Sequence, residues 1–207
     1  MPTRAVKNVI HVALLAGGRS QRMGVDKCFL NVKGEFLIDR MLRFAKNCAD
    51  QNAGQSFLCG SIEGYESLPD RLPALGPLGG LHAVTSLLHQ REQKGEEWVF
   101  LMPVDMPRLS VAIFECLTEY LESSLEKLQS DHAICFEGFE LPCLLRLSPK
   151  LMLEVSRILN EESSSNRSLQ QLLQLLGVKR LQLDPSLVSC MENVNTPDDW
   201  AKVIKTL

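Results

Sequence analysis

The chain has 207 residues, 45% hydrophobic and 23% charged, the make-up of an ordinary globular protein long enough to bury roughly 70% of its unfolded surface in one generous domain; disorder and collagen-like structure are excluded. The net charge of −3 conceals an asymmetry, because residues 1–46 hold nine Lys and Arg against three Asp and Glu while the remainder holds 13 against 22. The N-terminal fifth therefore seeks an anion, and with aromatics at only 6% and no basic-aromatic interleaving, a small phosphorylated ligand fits better than nucleic acid.

In chain order, Val9 to Leu15 is a short apolar run ending at Ala16-Gly17-Gly18, read as a buried parallel strand stopped by a glycine turn. Ile38, Met41, Leu42 and Ala45 recur at helical spacing, so a helix is expected over roughly 36 to 48, followed by a short strand at Ser56 to Cys59. The loop Gly76-Pro77-Leu78-Gly79-Gly80 opens a helix with Leu81, Val84, Leu87 and Leu88 on its apolar face. Trp98 to Met102 is another buried strand, and Ile113, Leu117, Tyr120, Leu121, Leu125 and Leu128 mark a long amphipathic helix. Strand and helix alternating in this way predict an α/β fold with a mostly parallel sheet.

In the second half, Ala133 to Phe136 and Leu141 to Leu147 flank Glu137-Gly138-Phe139-Glu140 like a hairpin, an antiparallel insertion. Ser168 to Gln171 matches a capping box for a helix burying Leu169, Leu172, Leu173 and Leu176 and closing at Gly177. Leu181 to Leu183 reads as a strand. Thr196 as N-cap, Pro197 at the first helical position and two acids after it predict a last helix from 197 to about 205. Only Glu161 to Asn166, with nothing to bury, reads as disordered.

The glycine-rich loop after the first strand, Leu15 to Lys27, carries Arg19, Arg22 and Lys27. Glycines let backbone N–H groups approach phosphate oxygens while the cations neutralise a polyphosphate; a tight solvated loop is the alternative. The loop matches neither GxGxxG nor GxxxxGK[ST], so kinase, NTPase and dehydrogenase readings drop. Asp105, after a buried strand and between two prolines, is either a helix cap or a Mg²⁺ ligand, and a polyphosphate nearby favours the metal, which takes one or two carboxylates plus substrate phosphates. Asp70 is either a loop residue or an acceptor for a base edge. Spacing alone makes Asn193 and Asn195 turn and capping residues.

The seven cysteines are scattered and odd in number, so reduced core thiols are expected rather than disulfides. His132, Cys135 and Cys143 come nearest to metal spacing but alternate with apolar residues as strand residues do. No apolar run reaches the roughly 18 residues of a membrane span, and no cleavage-site pattern follows the first run, so a cytoplasmic protein is expected.

Taken together, LAGGRSQRMGVDK at 15–27, PDRLPALGPLGG at 69–80, PVDMP at 103–107 and NVNTPDDW at 193–200 resemble the MobA family, molybdenum cofactor guanylyltransferases. The resemblance implies a three-layer, Rossmann-like nucleotide-diphospho-sugar transferase (GT-A) fold in one domain. Residues to about 110 would bind GTP, and those from about 111 would form the molybdopterin side. It implies transfer of GMP from Mg-GTP to molybdopterin, releasing pyrophosphate. Leu15, Ala16, Gly17 and Gly18 would contact the nucleotide through their backbone, Lys27 and Arg19 would offset phosphate charge, Asp70 would help read guanine, and Asp105 would hold Mg²⁺. Asn193 and Asn195 would face the acceptor, and molybdenum cofactor biosynthesis or molybdoenzyme maturation proteins would be the partners. One departure is Leu58-Cys59-Gly60-Ser61, where many members carry a nucleotide-contacting Asn. The competing readings are a cytidylyl- or sugar-phosphate nucleotidyltransferase of the same fold and a non-catalytic nucleotide- or molybdopterin-binding protein.

Overall fold

The computed structural model describes residues 8–17, 26–69, 76–91, 95–123, 131–161 and 167–207. The expectations for Gly18, Arg19, Arg22, Asp70, Leu125, Leu128 and residues 162–166 therefore fall outside the described residues.

Strand β1 (Val9–Leu15) leads through a 3-10 turn at Lys27–Phe29 and a two-residue hairpin, β2 (Asn31–Val32) and β3 (Glu35–Phe36), into helix α1 (Leu37–Gln51). There follow β4 (Ser56–Cys59), α2 (Pro77–His89), β5 (Glu97–Pro103), α3 (Val111–Ser123), β6 (Ala133–Phe136), β7 (Cys143–Arg146), α4 (Pro149–Leu159), α5 (Leu169–Leu176), β8 (Val178–Leu181) and α6 (Pro197–Val203). Six strands form one sheet in the order β4-β1-β5-β7-β6-β8. β1 lies parallel between β4 and β5, β6 lies parallel to β8, and β7 runs antiparallel to both β5 and β6. The expected antiparallel insertion is thus one reversed strand wedged into an otherwise parallel sheet.

The sheet is covered on both sides, which explains the unbroken apolar runs of β1 and β5. On one face Val12, Leu14, Trp98, Phe100 and Met102 meet α1 and α3; on the other Ala13, Leu15, Val99 and Leu101 meet α2, α4 and α5. α1 buries Leu37, Ile38, Met41, Ala45, Cys48 and Ala49, one stripe of a 3.6-residue period. α5 behaves as its sequence predicts: Ser168 accepts from the Gln171 N–H, four leucines are buried, and Gly177 closes the helix in the left-handed conformation at φ 76°.

Two expectations are corrected, and one helix is added. Leu87 is 43% exposed and does not belong to the buried face of α2. The last strand is Val178–Leu181, immediately after the Gly177 turn, rather than Leu181 to Leu183. α4, capped by Ser148 with Pro149 in its first turn, was not foreseen, although that dipeptide is a helix-start signal. No described helix is long and apolar enough to cross a membrane.

At the end of the sheet where β1 and β5 begin, a polar cluster is sealed into the fold. His11, 2% exposed, accepts a 3.0 Å bond at Nδ1 from the Gln55 N–H. Its Nε2 lies 2.8 Å from Arg91 Nη2 and 3.4 Å from a carboxylate oxygen of Glu97, itself 5% exposed. Burial first, and then the Arg91 charge, hold the His11 pKa below its ordinary value against the raising effect of Glu97.

Candidate active site

The opposite end, where β1 and β5 finish, is open. Asp26 starts the 3-10 turn by accepting a 3.0 Å bond from the Cys28 N–H, and Cys28 tucks under β1, its thiol 3.7 Å from the Ala16 carbonyl oxygen. Desolvation, reinforced by Asp26, pushes the Cys28 thiol up to about 12; it stays protonated, an anchor rather than a nucleophile. The anchored turn directs Lys27 across the strand ends, where its Nζ donates to Asp105 Oδ2 at 2.8 Å and to Asn195 Oδ1 at 2.7 Å.

Asp105 is placed by the sheet. The Val104 N–H donates to the Leu15 carbonyl at 2.9 Å, tying the loop after β5 to the end of β1, and the Asp105 carbonyl accepts from the Val194 N–H at 2.8 Å. Because α3 begins only at Val111 and the Asp105 carboxylate faces Lys27, Asp105 does not cap that helix. The ion pair is partly covered, with side chains 14% and 21% exposed. It borders a cavity of about 680 Å³ whose wall includes Leu15, Ala16, Gly17, Lys27, Asp105 and Asn193. The structure thus gathers these six expected site residues, and Asn195 joins them through Lys27.

The far wall was not foreseen as part of the site. It consists of Gly138, Phe139, Glu140 and Leu141 in the β6–β7 turn and Ser168, Leu169 and Gln170 at the start of α5. Arg180 braces that turn by donating to the Phe136 and Phe139 carbonyls at 3.5 and 3.3 Å. The available signal was topological: β6 points the same way as β1 and β5, and ligands of such sheets collect beyond the carboxyl ends of the strands.

Two glycines explain local close approaches. Gly60, at φ +121°, lies in the segment that departs from the family pattern, and a Cβ there would lie 2.8 Å from the Gly17 nitrogen; the turn after β4 thus backs directly onto Gly17. Gly80 lets α2 settle on the sheet, since a Cβ would meet the Leu15 side chain at 2.7 Å and Cys59 Cβ at 2.8 Å. The glycines of the 76–80 segment therefore serve packing at position 80.

Among the described residues no group of three or more His, Cys, Asp or Glu could hold a metal ion. The Asp105 carboxylate, paired with Lys27 at the cavity edge, instead suits a hard cation whose other ligands are phosphate oxygens and water.

A profile of the MobA-like NTP transferase domain matches residues 12–177. The chain is 33% identical over 191 residues to the molybdenum cofactor guanylyltransferase of Xanthomonas euvesicatoria, covering 92% of each chain. It is 30% identical over 194 residues to a probable molybdenum cofactor guanylyltransferase of Synechococcus elongatus, covering 90% of this chain and 94% of that one. In fold it is similar to the crystal structure of molybdopterin-guanine dinucleotide biosynthesis protein A from Archaeoglobus fulgidus, with a TM-score of 0.69, 21% identity and coverage of 94% and 97%. It is also similar to the 2-C-methyl-D-erythritol 4-phosphate cytidylyltransferase of Francisella tularensis, with a TM-score of 0.62 at 13% identity and coverage of 96% and 99%. A mixed sheet of Rossmann-like nucleotidyltransferase type, a lysine and an aspartate meeting at its open end, and a domain match over most of the sequence agree: the chain belongs to the MobA-like NTP transferase family and is a nucleotidyltransferase.

Proposed function

We propose that the protein transfers GMP from GTP to the terminal phosphate of molybdopterin, forming the guanine dinucleotide cofactor and releasing pyrophosphate. The observation that carries this reading is the Lys27–Asp105 pair, 2.8 Å apart at the ends of adjacent parallel strands, at one side of a cavity that continues to a second wall on the β6–β7 turn and α5. The names of the relatives supply the acceptor and the base.

A phosphate monoester is already an anionic nucleophile, so no protein nucleophile is required, in keeping with the protonated Cys28. Its oxygen attacks the α-phosphorus of GTP, the α–β bridging bond breaks, and the electron pair leaves with pyrophosphate. The work left to the protein is to hold two mutually repelling anions in line and to offset their charge. Lys27 supplies a positive charge at the triphosphate, and the backbone of Leu15 to Gly17 lies beside it; Arg19 and Gly18 belong to the same loop. Asp105 would hold Mg²⁺ arriving with the triphosphate, and the ion, when bound, would neutralise the charge developing on the leaving group. Asn193 lines the acceptor half of the cavity in this reading, and Asp70 would read the base.

The test is pyrophosphate release from GTP, CTP, ATP and UTP with Mg²⁺, with and without molybdopterin, and with the product identified by mass. Release confined to GTP and dependent on molybdopterin is the expected result. Release with another nucleotide, or only with sugar phosphates, overturns the choice of substrates.

A further inference from the structure

We infer that Asn195 is a positioning residue for Lys27 and thereby sets the affinity for the triphosphate, rather than serving the acceptor. The inference rests on the reading of the cavity as a nucleoside triphosphate site. It deepens that reading by moving a residue of the C-terminal segment to the nucleotide half.

Lysine ends in a compact charge on a flexible four-carbon stem, so its aim depends on what holds the ammonium. Among its acceptors are two of different kind, the Asp105 carboxylate at 2.8 Å and the Asn195 amide oxygen at 2.7 Å. An ammonium has only donors, which fixes Oδ1 as the atom of Asn195 that faces it. The two acceptors respond differently to a ligand. The charge of Asp105 is the one a cation bound to triphosphate would engage first, whereas the neutral amide of Asn195 attracts that cation less strongly. Asn195 therefore keeps Nζ aimed when Asp105 is otherwise committed, and because it is uncharged it does not repel phosphate.

The backbone of Asn195 is fixed for this task. On one side the Val194 N–H donates to the Asp105 carbonyl at 2.8 Å. Val194 itself is fully buried beside Leu30, Trp200, Val203 and Leu207, and Leu30 ends the turn that carries Lys27. On the other side the Asn195 N–H donates to Asp199 Oδ2 at 3.1 Å, next to the reciprocal capping box of Thr196 and Asp199 that starts α6. Arg108 adds a tie at the rim, to Glu192 at 2.6 Å and to Thr206. Asn195 is thus in fixed register with both Lys27 and Asp105, although 168 residues separate it from Lys27.

The test is a double-mutant cycle on nucleotide affinity, measured by titration with Mg²⁺ and no acceptor, so that no turnover occurs. Asn195→Ala is expected to weaken GTP binding three- to tenfold while leaving GMP, which lacks the outer phosphates, within twofold. Asn195→Asp is expected to weaken GTP more than Ala does, because a second carboxylate captures the ammonium and repels the phosphates. In a Lys27→Ala background, Asn195→Ala should have no further effect. An Asn195→Ala protein with wild-type GTP affinity and a raised acceptor KM overturns the inference, as does an undiminished effect in the Lys27→Ala background. Asn195 is exposed, so the variants are expected to melt near the wild type, and a nucleotide effect that merely tracked unfolding would also overturn it. If the wild type binds CTP instead of GTP, the choice of base fails while the same cycle run on CTP still tests Asn195.

Discussion

The two ends of β1 and β5 carry charged clusters of similar membership and opposite design. Where the strands begin, His11, Arg91 and Glu97 face one another and Gln55, with His11 and Glu97 almost fully covered. Where they finish, Lys27, Asp105 and Asn195 are bonded just as closely, but Lys27 and Asp105 line a cavity of about 680 Å³. The difference is solvent and ligand access. A covered cluster is committed to the fold, because removing a member strands its partner in low dielectric. An open one can exchange an internal partner for a ligand of the same charge.

The comparison breaks most sharply at Asp105. Replacing it with Ala is expected to lower turnover on the order of a thousandfold with little change in melting temperature; retention of more than a tenth of the activity would place the reacting centre elsewhere. Glu97→Ala is its mirror image, expected to cost about 3 kcal/mol of stability while GTP affinity, measured where the protein is still folded, stays within twofold. Loss of nucleotide affinity without loss of stability would erase the distinction between the ends. Gly60→Ala tests the boundary: at φ +121° and 2.8 Å from the Gly17 nitrogen, the added methyl strains the turn by about 1–3 kcal/mol and displaces the glycine loop, so chemical denaturation and GTP titration should both shift. The smallest effect is expected from acid. His11 has a folded pKa lowered below its ordinary value of 6.5, first by burial and then by Arg91. The unfolded chain therefore takes up the proton more readily, and the contribution to stability falls as the pH drops below about 6.5, with a slope of less than one proton. Denaturation midpoints at pH 7.5 and 5.5 measure it, and His11→Gln should flatten the change.

How much of this was legible in the sequence varies with the kind of signal. β1 and β5 announce themselves as unbroken apolar runs because they are covered on both faces, and α6 announces itself by Thr196, Pro197 and Asp199. β8 misled because it lies at the sheet edge and carries the exposed Lys179 and the partly buried Arg180, so the apolar residues just beyond it looked more strand-like. In the site, Asp105 could be picked out because it follows the end of a buried strand, and Lys27 because it closes a glycine-rich loop that also carries Arg19 and Arg22. The contact of Asn195 with Lys27 could not, since local spacing reports only its place before a helix cap, and Lys27 is 168 residues away in sequence. The β6–β7 wall was obscured for a related reason: its place beside the cavity depends on the sheet order, with a reversed strand between β5 and β6.

That long reach has a temporal side. A chain grows at about 5–20 residues per second during synthesis, and 168 residues separate Lys27 from Asn195, so roughly ten to thirty seconds pass on the ribosome between the appearance of the lysine and that of its amide partner. During that interval the strands of the first half can already associate, but the ammonium lacks the amide that later holds it beside the Asp105 carboxylate. On the proposed reading of Asn195, triphosphate affinity would mature late, with the final segment.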